Sequence, residues 1–207
     1  MVQQKADVRT RPGFRLTWPK GLPVLRNHVV ELRELIISDA ETLLRQFNTP
    51  AVIRYIAPPP SSVEGFEQFI RLTHMERRRG TLLCFGIVPA GESVPVGLIQ
   101  IWPIKTDFST AEWGFVLGQQ AWGTGLFVAS AELFLDYVFE TIGVIRLETR
   151  AVVENGRSGG ALRKLGATRE GILRGAFKLG ESVFDDVMWS ILAEEWRARR
   201  VHAGGDL

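Results

Sequence analysis

A strand-like run, Thr110–Leu117, passes into Gln119-Gln120-Ala121-Trp122-Gly123-Thr124-Gly125, and an apolar helical pattern follows at once. The chemistry available at such a junction begins with the backbone. The first turn of a helix leaves up to about four N–H groups unpaired and carries partial positive charge, so it receives phosphate well. Gly123 and Gly125 have no Cβ to hold a phosphate off the main chain. The segment contains no Lys or Arg, so a grip on phosphate would be mainly main-chain. The same glycines equally suit a strand-to-helix turn that needs them for its own dihedrals.

Two other phosphate signatures fail. Gly166–Gly171 has P-loop glycine spacing but continues Ile172-Leu173 instead of Lys-Ser/Thr. Gly123-x-Gly125-x-x-Val128 lacks the third glycine of a dinucleotide fingerprint. Gly156-Arg157-Ser158-Gly159-Gly160 satisfies G-x-S-x-G between a strand and a helix, the setting of a nucleophile elbow. A triad then needs an acid and a later histidine, and only His202 follows, in a polar, Gly-rich tail. The bland reading of Asn155-Gly156 is a turn.

Glu112 stands in the apolar run TAEWGFVL, and alternation places it opposite Trp113 and Phe115. It is either a solvated strand-end acid or a partly desolvated carboxylate with a raised pKa, suited to accept a proton. Arg77-Arg78-Arg79 before Gly80 reads as charge complementing a helix C-terminus. Arg197, Arg199 and Arg200 read as a solvated tail, and Cys84 as a buried strand residue.

The elements that must position these residues can be read along the chain. Residues 1–27, punctuated by Pro12, Pro19 and Pro23, form an irregular N-terminal arm. Residues 28–33 alternate as a first strand. Ser38 and Glu41 form a capping box opening a helix to about Asn48, and Ser61 and Glu64 form a second, whose helix runs to Gly80. Residues 82–88 and 96–104 form an antiparallel hairpin through Pro89-Ala90-Gly91. Thr110–Leu117, the glycine loop, a helix from Leu126 and a strand over 144–153 spell one βαβ unit with parallel strands and a right-handed crossover. A short helix over 158–165 stops at Gly166, and a hairpin around Gly180 joins strands at 168–177 and Ser182–Leu192. Residues 193–207 are a polar tail. The order predicts one mixed α/β (α+β) domain over 28–192, with about seven strands and flanking helices.

Composition excludes several classes. The 25 Lys+Arg nearly balance the 23 Asp+Glu, so no strong field recruits nucleic acid or an anionic membrane. One cysteine excludes an intrachain disulfide, and three scattered histidines offer no zinc cluster, so no metal is expected. With no apolar run of membrane-spanning length and no apolar signal core in MVQQKADVRTRPGF, the expected location is the cytoplasm.

Taken in order, the segments over His28 to Leu192 resemble the GNAT superfamily of N-acetyltransferases, in its RimJ/RimL-like branch of ribosomal-protein alanine/serine acetyltransferases. The motif [Q/R]-x-x-G-x-[G/A] is met by Gln120, Gly123 and Gly125. Asn155, Ser158, Leu162, Lys164 and Gly166 meet a second signature. Glu170-Gly171 with Leu173-Arg174, and Asp185 through Ser190, match the closing ones. The resemblance implies acetyl-CoA as co-substrate, its diphosphate on Gln120, Ala121, Trp122, Gly123, Thr124 and Gly125. It implies the pantetheine arm along Phe115, Val116 and Leu117, with Asn155 touching that arm. Ser158 is implied as proton donor to the leaving thiolate, Glu112 as base, and an N–H near Val116 or Leu117 as oxyanion donor. Leu162 stands where many relatives carry a tyrosine acid, Ala167 where an aromatic is usual, and Gly159-Gly160 loosen a helix. The implied acceptor is a primary amine, foremost a protein N-terminal amino group; a small-molecule amine such as an antibiotic or polyamine is the alternative, and a homodimer is compatible. A non-catalytic acyl-CoA-binding module would need the loop but neither Glu112 nor Ser158.

Overall fold

The computed structural model describes residues 21–204, with side chains through Val201. Most of the expected arm, residues 1–20, lies outside the described residues.

Eight strands form one sheet in the order β1-β2-β3-β4-β5-β6-β8-β7. They are β1 (Leu25–Arg26), β2 (Val30–Glu34), β3 (Leu83–Pro89), β4 (Gly97–Pro103), β5 (Thr110–Leu117), β6 (Arg146–Val152), β7 (Thr168–Leu179) and β8 (Ser182–Leu192). The eighth strand is β1, which falls in the expected irregular arm: Leu25 and Arg26 pair with Leu32 and Glu31. Two residues are too short to show a period in sequence; their pairing to β2 makes them a strand.

The helices are α1 (Ala40–Phe47), α2 (Pro50–Ile53), α3 (Val63–Arg79), α4 (Leu126–Asp136), α5 (Gly156–Lys164) and α6 (Ala193–Gly204). Alternation sorts the strand residues onto two faces. Phe85, Ile87, Ile99, Ile101 and Trp113 pack with α4, whereas Cys84 and Leu98 join Leu43, Phe47, Phe66 and Ile70 of α1 and α3.

Two capping assignments shift. Ser62, not Ser61, caps α3, accepting from Gly65 N–H at 3.1 Å. Ser38 caps nothing recorded at α1; Asp39 instead accepts Ile36 N–H at 2.8 Å and holds Arg33 through both guanidinium nitrogens, at 2.7 and 2.9 Å. A bidentate charged pair is stronger than a neutral serine cap, so the junction is built around the acid.

The C-terminal segment also departs from its expected form. It is helical, and Trp196 is 2% exposed, packed near Phe139 with its Nε1 donating to Asp136 at 2.8 Å. Arg197 and Arg200 pair with Glu140 and Asp136. One buried indole among charged neighbours anchors what otherwise reads as a solvated tail.

The feature that positions the site is the parallel pair. β5 and β6 are in register only at Thr110↔Arg146, Ala111↔Leu147 and Glu112↔Glu148. Beyond Glu112, β5 stays paired with β4 and β6 with β8, so the sheet splits between them.

Candidate active site

The split opens into a cleft of about 320 Å³. One wall is the end of β5, with Phe115, Val116 and Leu117; another is the loop with Ala121, Trp122, Gly123 and Gly125. The start of α5 supplies Asn155, Arg157 and Ser158, and α2 and the residues after it supply Val52, Tyr55 and Ile56. Nine of the sequence-assigned residues therefore meet in one place. Gln120, Thr124 and Glu112 do not line this cleft. Thr124 turns inward, donating to Ala121 O at 2.9 Å and accepting Leu126 N–H at 3.3 Å, so it braces the loop. Gln120 is exposed.

The local backbone explains the loop composition. Gly123 and Gly125 sit at φ of 76° and 83°, the left-handed region, and a Cβ at either would meet open space. The first return bond of α4 runs from Ala129 N–H to Gly125 O. Among the described residues the amides of Gly123, Thr124, Gly125, Phe127 and Val128 consequently have no protein acceptor. Packing of Phe127 on Phe115, ring centroids 4.1 Å apart, fixes this helix end against β5. Unpaired loop amides at a helix N-terminus thus border the split, a kind of donor set that suits an anion.

Gly118 N–H bonds to Val96 O on the β4 side. By strand alternation the peptide groups of residues 113, 115 and 117 face the other way, into the gap. Leu117 O already accepts from Trp122 Nε1 at 3.0 Å, and the N–H groups of Phe115 and Leu117 face the gap.

At the start of α5, Asn155 caps the helix by accepting Ser158 N–H at 3.2 Å. Its Nδ2 donates to Ser158 Oγ, also at 3.2 Å, which leaves the serine O–H free to donate into the cleft. The elbow reading fails in space as well, since no histidine lines the cleft.

Glu112 stands at the point where the split begins, its side chain 20% exposed, with Arg150 Nε 3.6 Å from Oε1. Burial raises its pKa above the usual glutamate range; Arg150 and a Trp102 hydrogen bond oppose this, and Glu148 and Asp186 reinforce it. Burial also pushes the Cys84 thiol up to about 12, so this cysteine is no thiolate nucleophile near neutral pH.

Sequence reasoning gave no site role to three residues, although Lys164 and Asp186 stand within matched motifs. Arg157 and Lys164, seven apart on α5, line the cleft and give it the cations that the loop lacks. Asp186 of β8 comes onto the Glu112 face of the sheet, and burial raises its pKa. Seven-residue spacing on a short amphipathic helix was the available signal for the cations. No local signal marks a role for Asp186.

A family model described as Acetyltransferase (GNAT) domain matches residues 30–168. The uncharacterised N-acetyltransferase p20 of Bacillus licheniformis is 26% identical over 166 residues, 80% of this chain and 93% of that protein. Spermidine N(1)-acetyltransferase of Escherichia coli is 24% identical over 188 residues, 87% of this chain and 95% of that protein. Among solved structures, Mycobacterium smegmatis RimJ in complex with CoA-disulfide superimposes with a TM-score of 0.78 at 24% identity, covering 90% of this chain and 96% of that one.

Proposed function

The chain belongs to the GNAT acetyltransferase family and is an acetyl-CoA-dependent N-acetyltransferase, and from that premise we propose that its acceptor is a protein N-terminal amino group of the ribosomal-protein type, acetylated by direct attack in a ternary complex. We assign the expected domain over 28–192, extended by β1 and α6, as the catalytic domain, and the cytoplasm as its location. No helix among the described residues is long and apolar enough to cross a membrane.

The observation that carries the reading is the split after Glu112, bordered on one side by free loop amides and on the other by the Asn155–Ser158 cap. In this assignment Gly123, Gly125 and the first turn of α4 bind the diphosphate, and Phe115–Leu117 align the pantetheine arm. Glu112 takes a proton from the acceptor ammonium. The freed nitrogen lone pair forms the N–C bond at the thioester carbonyl, and the N–H of Phe115 or Leu117 bonds the developing oxyanion. Collapse breaks the C–S bond, Ser158 gives its proton to sulfur, and the second nitrogen proton leaves to water, which restores Ser158. An α-amino group, with an ordinary pKa near ~7.7–8.0, needs only such a weak base. Holding both substrates in one cleft supplies much of the rate.

A polyamine is the second reading. Glu112, Glu148 and Asp186 share one sheet face with Arg146 and Arg150, joined at its edge by Glu170, so acids outnumber bases there. The spermidine enzyme is also among the relatives. The test is thiol release from acetyl-CoA with peptides bearing a free N-terminus, with the same peptides blocked, and with spermidine. Turnover confined to free peptides supports the first reading. Preference for spermidine replaces it with the second.

A further inference from the structure

Asp186 is a carboxylate without a partner. Only 6% of the residue is exposed. Among the described residues its oxygens accept no hydrogen bond and meet no cation within ion-pair distance; Arg150 acts on it only through space. Buried charged groups are otherwise paired or hydrogen-bonded, because removing a bare carboxylate from water is costly. The other buried charged residues among the described ones follow that rule. Arg77 is 5% exposed and held by Glu34, and Asp39 is 2% exposed and held by Arg33.

The group is nevertheless reachable. The buried, sealed side-chain atoms lacking a partner are the indole nitrogens of Trp113 and Trp189, so the Asp186 oxygens still meet solvent. Register gives its position. Four residues beyond the last paired step, β5 has reached Val116 and β6 has reached Val152, whose partner on β8 is Asp186. Asp186 therefore stands one strand beyond the split, beside Val152, which faces the cleft-lining segment of β5. Alternation turns it away from Val187 and Trp189, which pack in the core, and onto the face that carries Glu112 and Arg150. Phe184, two residues back on that face, meets Tyr55 edge-on at 6.4 Å, and Tyr55 lines the cleft. The aromatic pair thus connects the face that carries the unpaired acid to the cleft wall.

We propose that Asp186 is the acceptor-binding carboxylate: it seats the cationic nitrogen of the incoming amine on the β6–β8 side of the split and restricts acceptors to positively charged amines. The proposal rests on the acetyl-transfer reading for its geometry, but it concerns binding and can be read without turnover. It explains why β8 keeps a charge where a neutral residue would stabilise the sheet. The ammonium supplies the missing partner, Tyr55 and Phe184 limit its hydration, and Glu112 lies further along the same face.

The test uses the full chain with two probes, spermidine and a short peptide with a free α-amino group. Asp186→Asn is expected to raise the KM of the accepted probe at least tenfold. Calorimetric affinity for acetyl-CoA should stay within twofold, and the melting temperature should not fall, because an unpaired charge has been removed. Asp186→Glu should recover part of the loss. Equilibrium binding of the same probe to the enzyme saturated with CoA should weaken by a similar factor. Unchanged KM and unchanged probe binding in Asp186→Asn would overturn the assignment. So would a joint fall in melting temperature, acetyl-CoA affinity and probe binding that Asp186→Glu fails to recover, since that pattern marks a packing role. If the wild type acetylates neither probe while probe binding still depends on Asp186, the acceptor assignment fails and the Asp186 site stands.

Discussion

The Arg157 guanidinium lies 3.7 Å from the centre of the Trp122 ring. The two residues belong to opposite walls of the cleft, and Trp122 is itself tied to β5 through its bond to Leu117 O. A cation stacked on an aromatic face is held in place while its outer N–H groups remain free for an anion. The glycine loop thus obtains from α5 the charge it lacks. Arg157→Ala should weaken acetyl-CoA binding roughly tenfold, the order of one charge-assisted hydrogen bond. Arg157→Lys should recover little, because an ammonium cannot stack as a planar fork does. Calorimetry with CoA reads both, and equal affinity in all three proteins would remove Arg157 from the site.

Gly123 tests the other half of the proposed phosphate grip. A side chain here would enter open space at a φ that L-residues adopt at a cost of about 1–2 kcal/mol. Gly123→Asp should therefore fold, with a slightly lower melting point, yet lose measurable CoA binding through charge repulsion. Retained affinity would place the diphosphate elsewhere.

Ser158 has a more limited task. Ser158→Ala keeps the backbone N–H that Asn155 caps, so α5 should persist. It loses the proton donor, which water replaces imperfectly, and kcat should fall by about tenfold at most. Affinity for acetyl-CoA should hardly move. A fully active variant would assign thiolate protonation to water alone.

The C-terminal helix makes a stability prediction. Trp196→Ala should cost about 3–5 kcal/mol in urea unfolding, the usual range for a buried aromatic, whereas an indole in a solvated tail would cost nothing measurable. Trp196→Phe, which keeps the ring but loses the bond to Asp136, should cost roughly 1 kcal/mol.

What could be read in advance follows from range. Gly80 and Gly166 announced two helix ends because a left-handed residue after a helix favours glycine, and both sit at positive φ. The crossover unit was legible because its period changes from two to helical and back within one stretch. The capping serine of α3 was misplaced by one residue, since Ser61 and Ser62 are chemically identical and only the backbone selects between them. The roles of Trp196 and Arg157 were illegible for another reason. Their partners are far along the chain, as with the 60 residues from Asp136 to Trp196, so no local pattern carries the information.

Glu112 links the candidate chemistry to stability through one titration. Burial raises its folded pKa above the ordinary glutamate value, against Arg150 and Trp102, with Glu148 and Asp186 adding to the rise. An acid whose folded pKa is raised binds its proton more tightly when folded. Its contribution to stability is complete below the unfolded pKa, near ~4.3, and is lost as pH climbs through the folded value. Asp186, raised in the same direction, adds to the same window. As a base, Glu112 works only when ionised, so acetyl transfer should rise with pH over that range while this group's contribution to the melting temperature falls. Glu112→Gln should remove this limb from the rate profile, lower kcat about a hundredfold at neutral pH, and flatten the fall in melting temperature. Its affinity for acetyl-CoA should be unchanged, because Glu112 lies outside the cleft lining. A flattened stability curve with an intact rate limb would mean that Glu112 titrates as described while the base is another group.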